Sequence, residues 1–128
     1  MNETITHLKV PVEDKDRLAC LSPDGAAAHV IRTMKMVQGC WKLPILFRLY
    51  AAPSLRHAEL KQDLSGVSQK MLTQHLRELE KDGLIQRHDF EEKRRHVEYR
   101  LSDQGQNLMG VFLAMRDFSV KHSAMPKF

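Results

Sequence analysis

The sequence predicts a mainly α-helical domain with a small β-hairpin, an α+β fold, and three observations lead to this prediction. Apolar residues recur at three- and four-residue steps in several segments, as in amphipathic helices. Between residues 84 and 101 the apolar period shortens to two, which indicates strands. The 128 residues, 42% of them hydrophobic, suit a single domain that buries a core without disulfides.

The domain boundaries follow from where this periodicity begins and ends. Residues 1–23 mix charges with Pro11 and show no sustained period, so we expect an N-terminal arm there. One domain is expected over residues 24–121, with a tail over 122–128. The N-terminus is polar, and no apolar run approaches the roughly 20 residues that cross a bilayer. We therefore expect a soluble, cytoplasmic protein without a secretory leader.

Two helices are predicted ahead of the central motif. The first runs through AAAHVIRTMKMV, with Asp24 as its N-cap and Gly39 at its end. The second runs from about Trp41 through WKLPILFRLYA, where Pro44 is tolerated because it falls in the first turn. The first helix carries an apolar stripe of Val30, Met34 and Val37. In the second helix, the residues predicted to face the core are Ile45, Leu46 and Leu49.

Two short helices joined by a turn that contains glycine form the central motif. The first is predicted over residues 55–64, and the second begins after Ser68, a good N-cap, and ends before Gly83. The second helix has one apolar stripe, formed by Leu72, Leu76 and Leu79, and an opposite polar face, formed by Lys70, Thr73, Gln74, Arg77 and Lys81. This is the helix-turn-helix pattern, in which the second helix enters the major groove of DNA.

The remaining segments predict a hairpin and a final helix. Strands are expected over residues 84–90 and 96–101, joined by the charged tip EEKRR. Ser102 should cap the last helix, which carries an apolar stripe of Leu108, Val111, Phe112, Met115 and Phe118. Because such a stripe is usually covered, we expect dimerisation through the N- and C-terminal helices. The alternative is that the stripe packs on its own domain.

Charge is distributed unevenly along the chain, although the formal net charge is only +4. From Arg32 to Arg56 there are five bases and no acid, and a second basic cluster follows in the hairpin tip. Such clusters suit a polyanionic partner, because neutralised phosphates release their counterions. A merely solvated surface is the alternative.

A family resemblance is carried by GCWKLPIL around Trp41, by LRHAELKQDLSGVSQKMLTQHLRELEKDGLI over residues 55–85, and by VEYRLSDQG from Val97. These segments resemble the HxlR-type branch of the MarR-like bacterial winged helix-turn-helix transcription regulators, over roughly residues 27–118. The resemblance implies a homodimeric DNA-binding repressor or activator. It also implies a small-molecule or oxidant effector, because several relatives respond to oxidants or electrophiles.

The chain departs from the family pattern at several positions. Ala28, followed by His29, occupies the place of the usual redox cysteine, and Cys40 replaces the basic residue that commonly precedes the tryptophan. His57 occupies the place of an expected phenylalanine, and EEKRR replaces a wing that is often rich in proline. These departures bear on the effector more than on DNA binding.

The predicted DNA contacts follow from the hydrogen-bonding groups that base edges and phosphates present. Lys70 and Arg77 suit the acceptor pair of guanine, and Gln74 suits the donor and acceptor of adenine. Thr73 is suited to a thymine methyl, and the amides after Ser68 to phosphate. The complete predicted set is Lys42, Arg56, Ser68, Gln69, Lys70, Thr73, Gln74, Arg77, Lys93, Arg94 and Arg95, with the last three in the wing.

Other kinds of site are weakly indicated. The histidines lack the paired spacing of a zinc site, and no oxyanion motif or paired carboxylate accompanies the cysteines. We therefore predict neither catalysis nor a metal or other cofactor. Cys20 and Cys40 form no Cys-x-x-Cys pair, which speaks against a redox enzyme. Cys40 is a candidate redox sensor, with a small packing residue as the alternative.

Together these patterns predict a sequence-specific transcriptional repressor that binds a pseudo-palindromic operator as a homodimer. Its two recognition helices should lie about one helical turn of DNA apart, roughly 34 Å. The alternative is a winged-helix module for protein interaction that binds no operator.

Overall fold

A computed structural model describes residues 18–91, 93–94 and 96–122 of the chain. These residues fall into two compact units, one ending at Gln38 and the other beginning at Gly39. Arg95, most of the expected N-terminal arm and nearly all of the expected tail lie outside the described residues. No helix within the described ranges is long and apolar enough to span a membrane.

The first unit contains helix α1, Ala26–Met36. Its N-cap is Gly25 and not Asp24 as predicted, because the Gly25 carbonyl accepts the first helical hydrogen bond, from the His29 amide at 3.2 Å. The helix also ends earlier than predicted, with Val37 as its C-cap. Of the three residues on the predicted stripe, Val37 is buried, whereas Val30 and Met34 are 57% and 58% exposed. Helix α1 thus carries an exposed apolar stripe.

The second unit contains four helices and a three-stranded antiparallel sheet of order β1-β3-β2. Its elements in chain order are α2 (Lys42–Ala51), β1 (Leu55–Arg56), α3 (His57–Asp63), α4 (Gln69–Lys81), β2 (Ile85–Phe90), β3 (His96–Leu101) and α5 (Asp103–Lys121). The prediction of helix at residues 55 and 56 was wrong, because these residues pair with Tyr99 and Glu98 at the edge of the sheet. The hairpin of β2 and β3 was predicted correctly to within one residue.

The core of the second unit is built from the apolar faces of its helices. Helix α2 packs against both β3 and α5, and α4 packs against β2. The largest fully buried side chains are Ile45, Leu46, Leu49, Leu60, Leu72, Leu76, Leu79 and Met109. The predicted inward residues of α2 and α4 are therefore confirmed, and burial of the leucine stripe fixes which face of α4 remains outside.

Helix α4 is closed at both ends as its sequence predicts. The Ser68 hydroxyl accepts a hydrogen bond of 3.0 Å from the Met71 amide. At the other end Gly83 has φ +79°, and the amides of Gly83 and Leu84 reach back to the carbonyls of Glu80 and Leu79, both at 3.0 Å. This Schellman motif needs the left-handed conformation that glycine adopts without strain.

The turn between α3 and α4 lies beside the ring of Trp41. Gly66 in this turn has φ +97°, and a Cβ atom built on it would lie 3.7 Å from the Trp41 ring. The distance to the ring would allow a Cβ atom, so it is the left-handed backbone conformation that favours glycine here. The indole ring thus lies next to the turn that leads into α4.

Helix α5 has two apolar faces, where the sequence predicted one stripe. Met109 and Phe112 are buried, and the Phe112 ring lies 6.3 Å from that of Phe47. Val111, Met115 and Phe118 are instead 52%, 58% and 57% exposed. Phe112 therefore belongs to the core, and the other three form an exposed stripe on the neighbouring face, which we call the α5 stripe.

Candidate nucleic-acid interface

The polar face of α4 forms an open groove on the surface of the second unit. The groove is lined by Gln69, Lys70, Thr73, Gln74, Arg77 and Glu78. Lys70, Gln74 and Arg77 are exposed, because the leucine stripe on the opposite face is buried. The structure thus brings together five residues of the predicted DNA-binding set and adds Glu78, which the sequence analysis did not select.

The N-terminus of α4 opens onto the same surface. Ser68 is exposed, and its oxygen accepts the Met71 amide, so its own hydroxyl hydrogen remains available to an acceptor. The first amides of a helix and its dipole favour an anion at this end. A phosphate placed here would be bound without any reading of base sequence.

Thr73 is held from below by α3. The His57 ring nitrogen Nε2 lies 3.1 Å from the Thr73 hydroxyl. Partial burial, aided by the charge of Lys61, lowers the pKa of His57, which favours its neutral ring. His57 therefore connects α3 to the polar face of α4.

Lys42 does not lie on the surface as a phosphate contact would require. Its side chain is only 9% exposed, and its ammonium Nζ lies 2.9 Å from Glu78 Oε1. A buried ammonium that already has a carboxylate partner would have to give up that partner to reach DNA. The geometry thus makes Lys42 a support for α4, in place of the phosphate contact predicted from its position before the motif.

Glu78 receives hydrogen bonds from three side chains. Besides Lys42, His75 Nδ1 lies 3.4 Å from Oε1, and Gln74 Nε2 donates to Oε2 at 3.3 Å. The hydrogen bond from Lys42, followed by those from Gln74 and His75, lowers the pKa of Glu78 to about 2. The carboxylate is therefore ionised at any physiological pH and can only accept hydrogen bonds.

Glu78→Gln should lower stability in a pH-dependent way. The wild-type carboxylate has a pKa of about 2 in the fold and an ordinary value of 4.5, so its contribution is complete above pH 4.5. That contribution is lost as the pH falls from 4.5 towards 2, and the difference in unfolding free energy between wild type and variant should shrink over this range. Denaturant unfolding at several pH values measures it. Glu80→Gln, at an exposed site of the same helix, is the control. A difference in unfolding free energy between wild type and Glu78→Gln that stays constant as the pH falls from 4.5 towards 2 would contradict the prediction.

The other predicted contacts lie at the ends of flanking elements. Arg56 is exposed at the start of α3, where its backbone amide donates to Glu59 Oε1 at 2.8 Å. Lys93 and Arg94 are exposed at the hairpin tip. Their exposure leaves these side chains available for phosphate contacts.

The hairpin has an internal brace that the sequence analysis missed. The Phe90 ring lies between the rings of His88 and His96, at centroid distances of 4.2 and 4.5 Å. Glu98 accepts a hydrogen bond of 2.6 Å from Ser54, which lowers the pKa of its carboxyl, and lies 3.0 Å from His96. These contacts link the two strands of the hairpin to each other and to Ser54.

The two cysteines are free thiols, and they differ in exposure. Cys40 is exposed and Cys20 is partly buried, so Cys40 is not the small packing residue that was the alternative to a sensor. Within residues 18–91, 93–94 and 96–122, no group of three or more histidine, cysteine or acidic side chains is arranged to hold a metal ion.

Comparison with known proteins agrees with this architecture. The sequence profile of the HxlR-like helix-turn-helix family matches residues 36–126. The chain is 39% identical over 90 residues to the uncharacterized HTH-type transcriptional regulator YtcD of Bacillus subtilis, covering 70% of this chain and 71% of YtcD.

Two solved structures show the same fold. The crystal structure of ytcD superposes with a TM-score of 0.69 at 38% identity, covering 75% of this chain and 97% of that one. The redox regulator HypR in its reduced form gives a TM-score of 0.67 at 29% identity, covering 73% of this chain and 92% of that one. The described fold is thus that of the MarR-like winged-helix regulators. The chain belongs to the HxlR-like helix-turn-helix family of transcriptional regulators.

Proposed function

We propose that this regulator binds a pseudo-palindromic DNA operator as a homodimer and represses transcription by covering a promoter. The observation that carries the proposal is the groove of α4, where Lys70, Gln74 and Arg77 are exposed side by side on a helix with a buried opposite face. Arginine, lysine and glutamine are the side chains that pair best with base edges in the major groove. The role is one of binding, without catalysis.

The proposed contacts are of two kinds: some read the base sequence, and others fix the position of the protein on the DNA. Lys70, Gln74 and Arg77 supply base contacts, while the amides after Ser68 bind phosphate. Arg56 and the exposed wing bases Lys93 and Arg94 add phosphate contacts that are independent of sequence. Arg95 extends the wing set in this proposal, although it lies outside the described residues.

The exposed apolar stripes supply the dimer interface in this proposal. The α5 stripe has side chains more than half exposed at Val111, Met115 and Phe118. Helix α1 has its own stripe, which includes Val30 and Met34. Covering such surfaces by a second copy removes apolar area from water, and a two-fold axis presents two recognition helices to successive major grooves about 34 Å apart.

Selection of bound fragments from a random DNA library tests the proposed function. The expected product is an inverted repeat whose half-sites lie about one helical turn apart, and unlabelled nonspecific DNA should not displace it at equal concentration. Recovery of no common sequence, with complete displacement by nonspecific DNA, would contradict operator binding. That result would favour the alternative, a winged-helix module for protein interaction.

An oxidant effector acting at Cys40 stays a prediction, supported by the exposure of this thiol. Oxidation of a sensing thiol should change operator affinity, and Cys40→Ser should remove that change. Affinity is measured by DNA titration with reduced and oxidised protein, and Cys20→Ser is the matched control. Equal affinity of reduced and oxidised wild-type protein would rule out the sensor.

A further inference from the structure

We propose that Glu78 is a positioning residue for sequence recognition, which fixes the direction of the Gln74 carboxamide so that Gln74 selects adenine. The inference rests on the proposed DNA binding and adds a specificity mechanism to it. Three side chains carry it, and they lie in one chain of contacts from Lys42 through Glu78 to Gln74.

The charge of Glu78 determines which end of the Gln74 carboxamide faces it. An ionised carboxylate has no hydrogen to donate, so the group facing its Oε2 must be the amide nitrogen of Gln74. The distance from Gln74 Nε2 to Glu78 Oε2 is 3.3 Å. The reversed carboxamide would place two oxygens together and is excluded as long as residue 78 is an anion.

The ion pair with Lys42 keeps Glu78 in place when DNA approaches. Phosphates repel a carboxylate, and an unrestrained glutamate would turn away from the groove. The Lys42 ammonium prevents this, because it is buried and would lose its counter-charge if Glu78 moved. The positive charge of Lys42 also reduces the electrostatic repulsion between Glu78 and the DNA phosphates.

With its carboxamide held in this direction, Gln74 offers a defined pair of hydrogen-bonding groups to a base. One amide hydrogen is held by Glu78, which leaves the carbonyl oxygen and the second amide hydrogen as an adjacent acceptor and donor. Adenine presents the complement, a donor at N6 beside an acceptor at N7. Guanine presents two acceptors, and its O6 would face the Gln74 oxygen. Without Glu78 the carboxamide can turn over, and this discrimination should weaken.

The experiment measures base preference and not affinity alone. Four proteins are compared: wild type, Gln74→Ala, Glu78→Gln and the double variant Gln74→Ala/Glu78→Gln. Each is titrated with the selected operator and with operators that carry each of the other base pairs at every half-site position. Wild type should prefer adenine at one position by on the order of 10-fold. Glu78→Gln should bring adenine and guanine at that position close to parity, and Gln74→Ala should have the same effect. The double variant should lose no more discrimination than either single variant.

Two further variants keep the result interpretable. Glu80→Gln removes the same charge from an exposed site on α4 and should leave the base preference unchanged. Glu78→Gln strands the buried Lys42 ammonium, so Lys42→Met/Glu78→Gln serves as a second variant in which no buried charge is left unpaired. It should show the same loss of preference.

The outcomes separate this inference from the proposed function. Two results would overturn the positioning role while leaving operator binding intact. One is a Glu78→Gln variant that keeps the preference for adenine, and the other is a double variant that loses more of this preference than Gln74→Ala does. The positioning role would also be overturned if Glu78→Gln lowered affinity only for operators with cytosine at one position, because Glu78 would then contact that base directly. If wild type shows no base preference at all, the proposed function itself fails.

Discussion

Replacing Lys70 and Arg77 together by alanine is expected to lower affinity for the selected operator by on the order of 100-fold or more. Each side chain is exposed in the α4 groove, and a good contact to a base edge contributes about 1–3 kcal/mol of discrimination. The fold should remain intact, because neither side chain is buried. Titration with operator and with nonspecific DNA at several salt concentrations measures the effect.

The control for this double variant removes equal charge elsewhere. Arg116→Ala/Lys121→Ala deletes two exposed bases of α5 and should change operator affinity far less. For the α4 variant, the preference for operator over nonspecific DNA should collapse, since base contacts are lost and not only phosphate contacts. If the two double variants weaken operator binding equally, α4 contributes only general charge and is not the recognition helix.

Met115→Glu is expected to convert the protein to monomers and to lower operator affinity by on the order of 100-fold. The side chain lies in the α5 stripe and is 58% exposed in one chain, so a charge there is harmless to the monomer. In the proposed dimer it would be buried without a partner, which strongly opposes association. Light scattering should give the monomer mass of 14.8 kDa in place of twice that value.

Gln106→Glu provides the matched control for the dimer prediction. It adds the same charge to the same helix at an exposed position away from the α5 stripe, and the variant should remain dimeric and bind normally. A Met115→Glu protein that keeps both its mass and its operator affinity would show that α5 is not the interface. Helix α1, with its own exposed stripe, would then be the next helix to test.

Local sequence signals predicted most of the second unit, because its elements are bounded by residues with direct backbone roles. Ser68 and Ser102 cap their helices as expected, with hydroxyl acceptors at 3.0 Å from the amides of Met71 and Gly105. Gly83 ends α4 in the left-handed conformation. The 3.6-residue period placed Leu72 and Leu76 inside, and therefore also identified the outward face of α4.

The features that the sequence did not predict depend on contacts between distant residues. Strand β1 is only two residues long, and it forms because Leu55 pairs with Tyr99 of β3. No local sequence pattern indicates this pairing. Likewise, the i, i+4 spacing of Gln74 and Glu78 was visible, but the buried Lys42 that holds Glu78 comes from another helix. The sequence therefore suggested Lys42 as a phosphate contact, whereas in the structure its ammonium pairs with Glu78 on the polar face of α4.

Site-specific photo-cross-linking on the selected operator tests most directly whether the polar face of α4 contacts DNA bases. A photoreactive amino acid is placed at Gln69, in the exposed first turn of α4, or at Gln106 of α5 as the control. We expect position 69 to cross-link to bases within each half-site and position 106 not to cross-link. Saturated operator binding without any cross-link from position 69, or with equal cross-linking from both positions, would contradict this expectation.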